Sequence, residues 1–390
     1  MSDRIINKKT LLGLVGVLAA TAMGVTTAAA ADKFDTDPQH QLPRPDQHPA
    51  DMKKPVKVFI LLGQSNMVGM GEVGPETNKG TLAYLTKTDK RYPHLLDDAG
   101  KWTARSDVRY VFVMQNRGNM QTVQNDWLTV KGGTIGPELQ FGHIMGHLLD
   151  EPVLILKACI GNRSLGWDYL PPGSERFEFV TKDKKGAEKP SVYAGYKDRP
   201  NSWDMDQDKG KATEPPPWID KKTGKAIDWY AGKQYDDDVA NAKAVLADIG
   251  KYYPGAEKYE VAGFVWWQGH KDQGEPYASR YEQNLVNLIK SLRKDFHAPN
   301  APFVLAVGCG NPGRESFGLQ IAGAQMAMND AKKHPEFAGN VKCVDSRDFW
   351  READVSPKNQ GYHYNRNAET YMEVGNSLGW AMADLLNHKQ

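Results

Sequence analysis

The sequence is poor in the features that would fix a function class at once. Its 390 residues hold three cysteines, Cys159, Cys309 and Cys343, too few for a disulfide-dense scaffold. No two are close in the chain, so a cysteine-built metal site is not expected. The simpler reading is buried free thiols on neighbouring strands, with at most one bridge. Charge of one sign is also lacking. Forty-nine Lys and Arg against 48 Asp and Glu leave a formal +1, so no overall field draws nucleic acid or acidic lipid. There is no H-E-x-x-H. His143 and His147 share a helix face but have no evident third ligand, and read as a polar stripe. No internal repeat or low-complexity tract is present.

Long apolar runs are scarce, and the first belongs to a targeting pattern. Arg4, Lys8 and Lys9 make a basic start, Leu11–Met23 is apolar, and small residues follow to Ala31. Residues 1–31 read as a cleaved signal peptide, too short and too rich in Gly and Ala to span roughly 30 Å of hydrocarbon. Its removal takes the net charge to −1 and places the protein outside the cytoplasm, secreted or periplasmic, with no membrane attachment. Residues 32–55, with Pro38, Pro43, Pro45, Pro49 and Pro55, read as an extended tail.

What is present is an alternation. Val56–Leu62, Val108–Met114, Val153–Ala158, Tyr259–Trp267, Phe303–Val307 and Val341–Asp345 are strand candidates, several of them continuously apolar. Between and after them, residues 137–149, 238–249, 278–296, 317–331 and 368–386 carry helical periodicity. This predicts an α/β sheet with helices on both faces, in one large domain or two medium ones, with its site at the carboxyl ends of the strands. Residues 164–236 break the pattern. They hold four of the ten tryptophans, and read as a long aromatic insertion over the active-site face.

The sharpest motif is Gly63-Gln64-Ser65-Asn66-Met67, directly after the first strand. A serine where a buried strand turns toward a helix is exposed at the sheet edge, with backbone N–H groups beside it for an oxyanion. The formal G-x-G-x-x-G of Gly69–Gly74 starts seven residues beyond that strand, too late for a dinucleotide site.

With GQSNM, four further blocks follow in order: Gly136-Pro137-Glu138, Gly161-Asn162-Arg163-Ser164-Leu165, Trp267-Gln268-Gly269-His270-Lys271-Asp272 and Gly361-Tyr362-His363-Tyr364-Asn365. Together they resemble the SGNH hydrolases, in the sialate O-acetylesterase (SASA) and carbohydrate esterase family six branch. The resemblance implies one domain over residues 56–390, a three-layer α/β/α sandwich with a mostly parallel, five-stranded, flavodoxin-like sheet. It implies a secreted carbohydrate O-acetylesterase needing no cofactor or metal, with an acetylated sugar as its partner. Ser65 is then the nucleophile and His363 the base. Ser65, Gly161 and Gln268 form the oxyanion hole, and Gln64, Asn66, Arg163, His270 and Asp272 contact substrate.

Two departures stand out. Gln360 occupies the place of the family's Asp in D-x-x-H. Either another acid orients His363, with Asp354 first and Asp345 or Asp272 behind it, or the pair is a dyad. His270 stands where a Glu is common, which changes the pocket's charge. Arg163 would either pair with a surface carboxylate or hold an acidic or polyol substrate, and Glu138 would serve the helix dipole. A glycan-binding domain without catalysis, and a hydrolase of another ester, are the alternatives.

Overall fold

The computed structural model describes residues 42–116, 118–205, 214–308 and 316–387. The signal-peptide reading, residues 32–41 of the tail and Cys309 lie outside these residues. Residues 42–55 hold no helix or strand but are tied to the domain, with Leu42 buried and Gln47 Nε2 donating to Ala104 O at 2.9 Å.

In chain order the elements are β1 (Val56–Gly63), α1 (Ser65–Val68), β2 (Gly71–Glu72), β3 (Ala104–Asn116), β4 (Asn119–Thr129), β5 (Thr134–Ile135), α2 (Glu138–Leu148) and β6 (Val153–Ala158). Then come β7 (Phe177–Lys182), β8 (Glu188–Tyr193), β9 (Ser202–Asp204), α3 (Lys233–Ala247), α4 (Ile249–Tyr252) and β10 (Tyr259–Trp267). The chain closes with α5 (Glu275–Asp295), β11 (Phe303–Val307), α6 (Ser316–Ala327), β12 (Val341–Asp345) and α7 (Ala368–Asn387).

The main sheet has seven strands, ordered β12-β11-β10-β1-β6-β3-β4. All neighbours are parallel except the β3–β4 hairpin. The expected five-stranded sheet is therefore corrected to seven. The six strand candidates all join it, and the seventh, the edge strand β4, is polar and has one buried residue, so it gives no apolar run in the sequence. β1 lies at the centre because both its faces are apolar. Val58, Ile60 and Leu62 pack in one core with residues of α3, α4, α5 and α6. Phe59 points the other way and meets Phe141 of α2 edge to face, ring centroids 5.4 Å apart. Helices on both faces follow from this alternation, giving the α/β sandwich.

Connections from β1 run first to β3 and β6 on one side, then to β10, β11 and β12 on the other. That reversal leaves a crevice at the carboxyl ends of β1, β6 and β10, where such sheets bind ligands. The aromatic insertion is not structureless. β7, β8 and β9 form a small antiparallel sheet with its own apolar cluster around Trp167, Leu170, Val192 and Trp203. Residues 206–213 lie outside the described part. Cys159 and Cys343 are free thiols, but Cys159 lies just past the end of β6 and Cys343 on β12, which are not neighbouring strands. Among the described residues no helix is long and apolar enough to cross a membrane.

Candidate active site

β1 delivers Ser65. Gly63 ends the strand at φ +150°, and a Cβ there would collide with the Trp267 carbonyl of β10, so only glycine fits the turn. The chain then makes one helical turn, α1, with Ser65 at its start. Its far end is pinned from below. The buried Lys157 Nζ donates to Val68 O at 3.1 Å and pairs with Glu138 Oε2 at 2.5 Å. Glu138 Oε1 accepts the Gly136 N–H at 2.9 Å. Glu138 thus does more than serve a helix dipole: it is half of a buried ion pair behind the nucleophile. Lys157 escaped notice because it sits within the apolar run of β6.

The base arrives on a different kind of structure. His363 Nε2 lies 2.7 Å from Ser65 Oγ, across 298 residues of sequence. His363, Tyr364, Asn365 and Arg366 all have positive φ, between 49° and 59°. A run of left-handed residues costs roughly 1–2 kcal/mol each for L-amino acids and is seldom longer than one. Packing offsets that cost. Tyr364 is fully buried against Trp267, Trp350 and Tyr371, and its hydroxyl lies 2.9 Å from Ser346 Oγ. Burial, then the nearby His270 and Arg366, push the His363 pKa down to about 4. The imidazole is neutral at neutral pH, as a base must be.

Among the described residues no carboxylate bonds to His363 Nδ1. Asp354 is exposed and makes no bond to the ring, so the sequence expectation for it is corrected. Asp345 is bound by Arg347 and Asp272 lies at the opposite wall. Gln360 faces Nδ1 instead. Its Nε2 donates to Tyr362 O at 3.0 Å, which fixes the amide, and lies 3.5 Å from Nδ1. A donor at that place favours the tautomer with its proton on Nε2, the unproductive one for a base.

Gly161 sits beside the nucleophile: a Cβ on it would touch the Ser65 Cβ at 3.5 Å. Among the described residues the Ser65 and Gly161 N–H groups have no hydrogen-bond partner, so both are available to an oxyanion. Gln268 differs from expectation. Its Nε2 is within reach of Asp272 Oδ2 at 2.6 Å, Arg163 O at 2.9 Å and Gln64 Oε1 at 3.2 Å. Two protons shared by three acceptors leave none for an oxyanion. Gln268 is a buried tie between the loops after β1 and β6.

The expected substrate contacts divide accordingly. Gln64, Asn66 and Asp272 are buried and hold structure rather than line a cleft. Asp272 accepts the Leu165 and Gly166 N–H groups at 2.8 and 2.7 Å, and burial pushes its pKa up to about 6. His270 is exposed. Arg163 donates from Nε to Gln234 Oε1 at 3.0 Å and lies over the Trp229 ring, 4.9 Å from its centroid. Among the described residues no carboxylate pairs with it. His143 is not on an exposed stripe. It is buried edge-on to His94, with ring centroids 5.0 Å apart, while His147 is exposed. The formal G-x-G-x-x-G forms β2, which pairs with β5.

Comparison with known proteins adds a family. Residues 221–384 match SASA, described as carbohydrate esterase, sialic acid-specific acetylesterase. The SASA match takes in Gln268 and His363 and begins downstream of Ser65. This part of the chain is thus similar to carbohydrate acetylesterases. No curated protein matches the sequence. Solved structures similar to it include a protein from Arabidopsis thaliana, 16% identical, covering 85% of this chain and 98% of that one, TM-score 0.45. A carbohydrate acetylesterase from Xanthomonas citri is 12% identical, covering 85% of this chain and 57% of that one, TM-score 0.44. NanS is 14% identical, covering 82% and 85% respectively, TM-score 0.40.

Proposed function

We propose that this protein is a serine-dependent carbohydrate O-acetylesterase that works with a Ser65–His363 dyad. The observation that carries the reading is the 2.7 Å contact of His363 Nε2 with Ser65 Oγ beside the free N–H of Gly161. Ser65 Oγ attacks the acetyl carbonyl while His363 Nε2 takes its proton. The oxyanion sits on the Ser65 and Gly161 N–H groups. The bond to the sugar oxygen then breaks, and His363 returns the proton to that oxygen. Water, deprotonated by His363, attacks the acetyl-serine and releases acetate. The basic and apolar pattern of residues 1–31 supports export, and hence a glycan met outside the cytoplasm.

The test is acetate release from acetylated xylan, O-acetylated sialic acid and an aryl acetate, with Ser65→Ala and His363→Ala beside the parent. Activity that survives Ser65→Ala rejects the reading. A second reading, a glycan-binding module, draws on Gln360 Nε2 at the place of the acid. It predicts glycan binding with no acetate released from any ester. If the dyad works, its rate is constant from neutral pH downward and is lost as pH falls through about 4, where His363 takes a proton.

A further inference from the structure

The site holds its base without the group that ordinarily orients one. What fixes the imidazole must therefore lie in the turn that carries it. Four consecutive left-handed residues, His363 to Arg366, do not stay in that conformation unaided. One side chain bonds to three separate points around them. Asn365 is 2% exposed. Its Oδ1 accepts the N–H groups of Gln360 and Gly361, both at 3.1 Å. Its Nδ2 donates to Arg351 O at 3.1 Å. Its own N–H donates to Tyr362 O at 3.1 Å, and its carbonyl accepts the Lys358 N–H at 3.2 Å. Asparagine is also the non-glycine residue best suited to left-handed backbone. These bonds close the loop from residue 358 to residue 366 on itself and leave His363 projecting toward Ser65.

We infer that Asn365 is a positioning residue: its side chain locks the left-handed turn and so aims the His363 imidazole at Ser65, a task that an acid at position 360 would otherwise share. This rests on the Ser65–His363 reading above. Asn365 touches neither substrate nor the reacting atoms. It acts through the backbone of His363, where the acid of a triad acts through Nδ1.

The consequence is a specific pattern of kinetics. Misplacing a base by about 1 Å costs on the order of 10²-fold in rate. Asn365→Ala should lower kcat by about that factor with KM within about twofold, because substrate contacts are untouched. Gln360→Asp, added to Asn365→Ala, should restore at least about tenfold of kcat, since a carboxylate on Nδ1 orients the ring independently. The same addition should move the acid limb of the pH profile upward, as an anion beside His363 favours its protonated form. Asn365→Asp keeps the Oδ1 acceptor, loses the donor to Arg351 O and sets a carboxylate oxygen against that carbonyl. It should lower kcat by about tenfold, and it carries the test if Asn365→Ala does not fold.

Rates are referred to the concentration of sites labelled at Ser65 by a fluorophosphonate, so loss of folded protein is not read as loss of kcat. The inference is overturned if kcat per labelled site in Asn365→Ala, or in Asn365→Asp where that variant carries the test, stays within twofold of the parent. It is overturned equally if KM rises while kcat holds, or if Gln360→Asp restores nothing. Failure of the underlying reading looks different: the parent then releases acetate without Ser65, or releases none.

Discussion

The two halves of the candidate site are built from opposite materials. Ser65 stands at the end of a central strand buried at every residue but Lys57, on a turn that only a glycine at position 63 allows. His363 stands on an irregular loop between β12 and α7, on backbone that no regular element would adopt. Ser65 is placed by sheet register and close packing, where error is small because interiors are dense. The base is placed by a handful of polar bonds against backbone strain. A strand end is hard to move. A strained turn can be re-aimed by one side chain, which makes the base half the place where activity is tuned.

The sharpest way to press that contrast is to give the loop what it lacks. Gln360→Asp places a carboxylate by Nδ1 and reverses the tautomer preference set by the amide. Replacing a triad acid by an amide elsewhere costs about 10⁴-fold. The reverse change here should raise kcat by at least about tenfold, read as acetate release per labelled Ser65. It should also raise the pH at which activity is half lost above about 4. An unchanged rate would mean that the loop already supplies the productive tautomer.

This division also explains what could be read from the sequence. The six parallel strands, and the places of Ser65 and Gly161 just past two of them, were legible because apolar runs, a glycine and a motif report regular structure directly. β4 was not, since an edge strand wet on one face carries no apolar run. Gln268 and Asp272 were legible as a pair of polar residues at a strand end, but not as one hydrogen-bonded tie, because saturation depends on residues over 100 positions away. Asn365 was part of a quoted block, yet nothing in G-Y-H-Y-N signals four left-handed residues. The absence of an acid at 360 was visible. That no described carboxylate takes its place follows only from where the fold puts Asp345 and Asp354.

The rigid half has its own weak points, and they lie behind Ser65 rather than in it. Lys157→Met should cost about 3–5 kcal/mol in urea unfolding, because it leaves Glu138 charged and buried without its partner. Adding Glu138→Gln should recover part of this, since no charge then remains. If the single change is harmless, the pair is not what holds α1. The ion pairs of the loop half, such as Arg366–Glu72 and Arg351–Glu373, are only part-buried, unlike Lys157, whose side chain is fully buried.

Acid should attack the same rigid half, for a reason unrelated to catalysis. Burial depresses the pKa of His94 to about 4 and holds His143 well below the usual range, with Arg105 close by. Both nitrogens of His143 lack a partner among the described residues. A depressed histidine pKa means that the unfolded chain binds protons first. Stability is therefore full above about pH 6.5 and falls as pH drops toward 4. Thermal melts at pH 7 and pH 4.5 should show that loss, and His143→Leu should reduce it.

The smallest expected effect tests whether the halves are separate at all. The Tyr371 hydroxyl is 3.2 Å from Asn66 Oδ1 on the nucleophile turn and 3.3 Å from His363 O on the base turn. It has one proton, so it serves one acceptor at a time. Tyr371→Phe keeps the buried ring between Trp267 and Tyr364 and removes only this link. If the base turn is held by Asn365 alone, the change should cost about 1 kcal/mol of stability and leave kcat within about threefold. If kcat instead falls as far as in Asn365→Ala, the hydroxyl couples the two turns, and the strained loop is aimed partly from the rigid side. A double variant, Tyr371→Phe with Asn365→Asp, decides between these. Independent supports give losses that multiply, whereas a shared support gives a combined loss close to the larger single one.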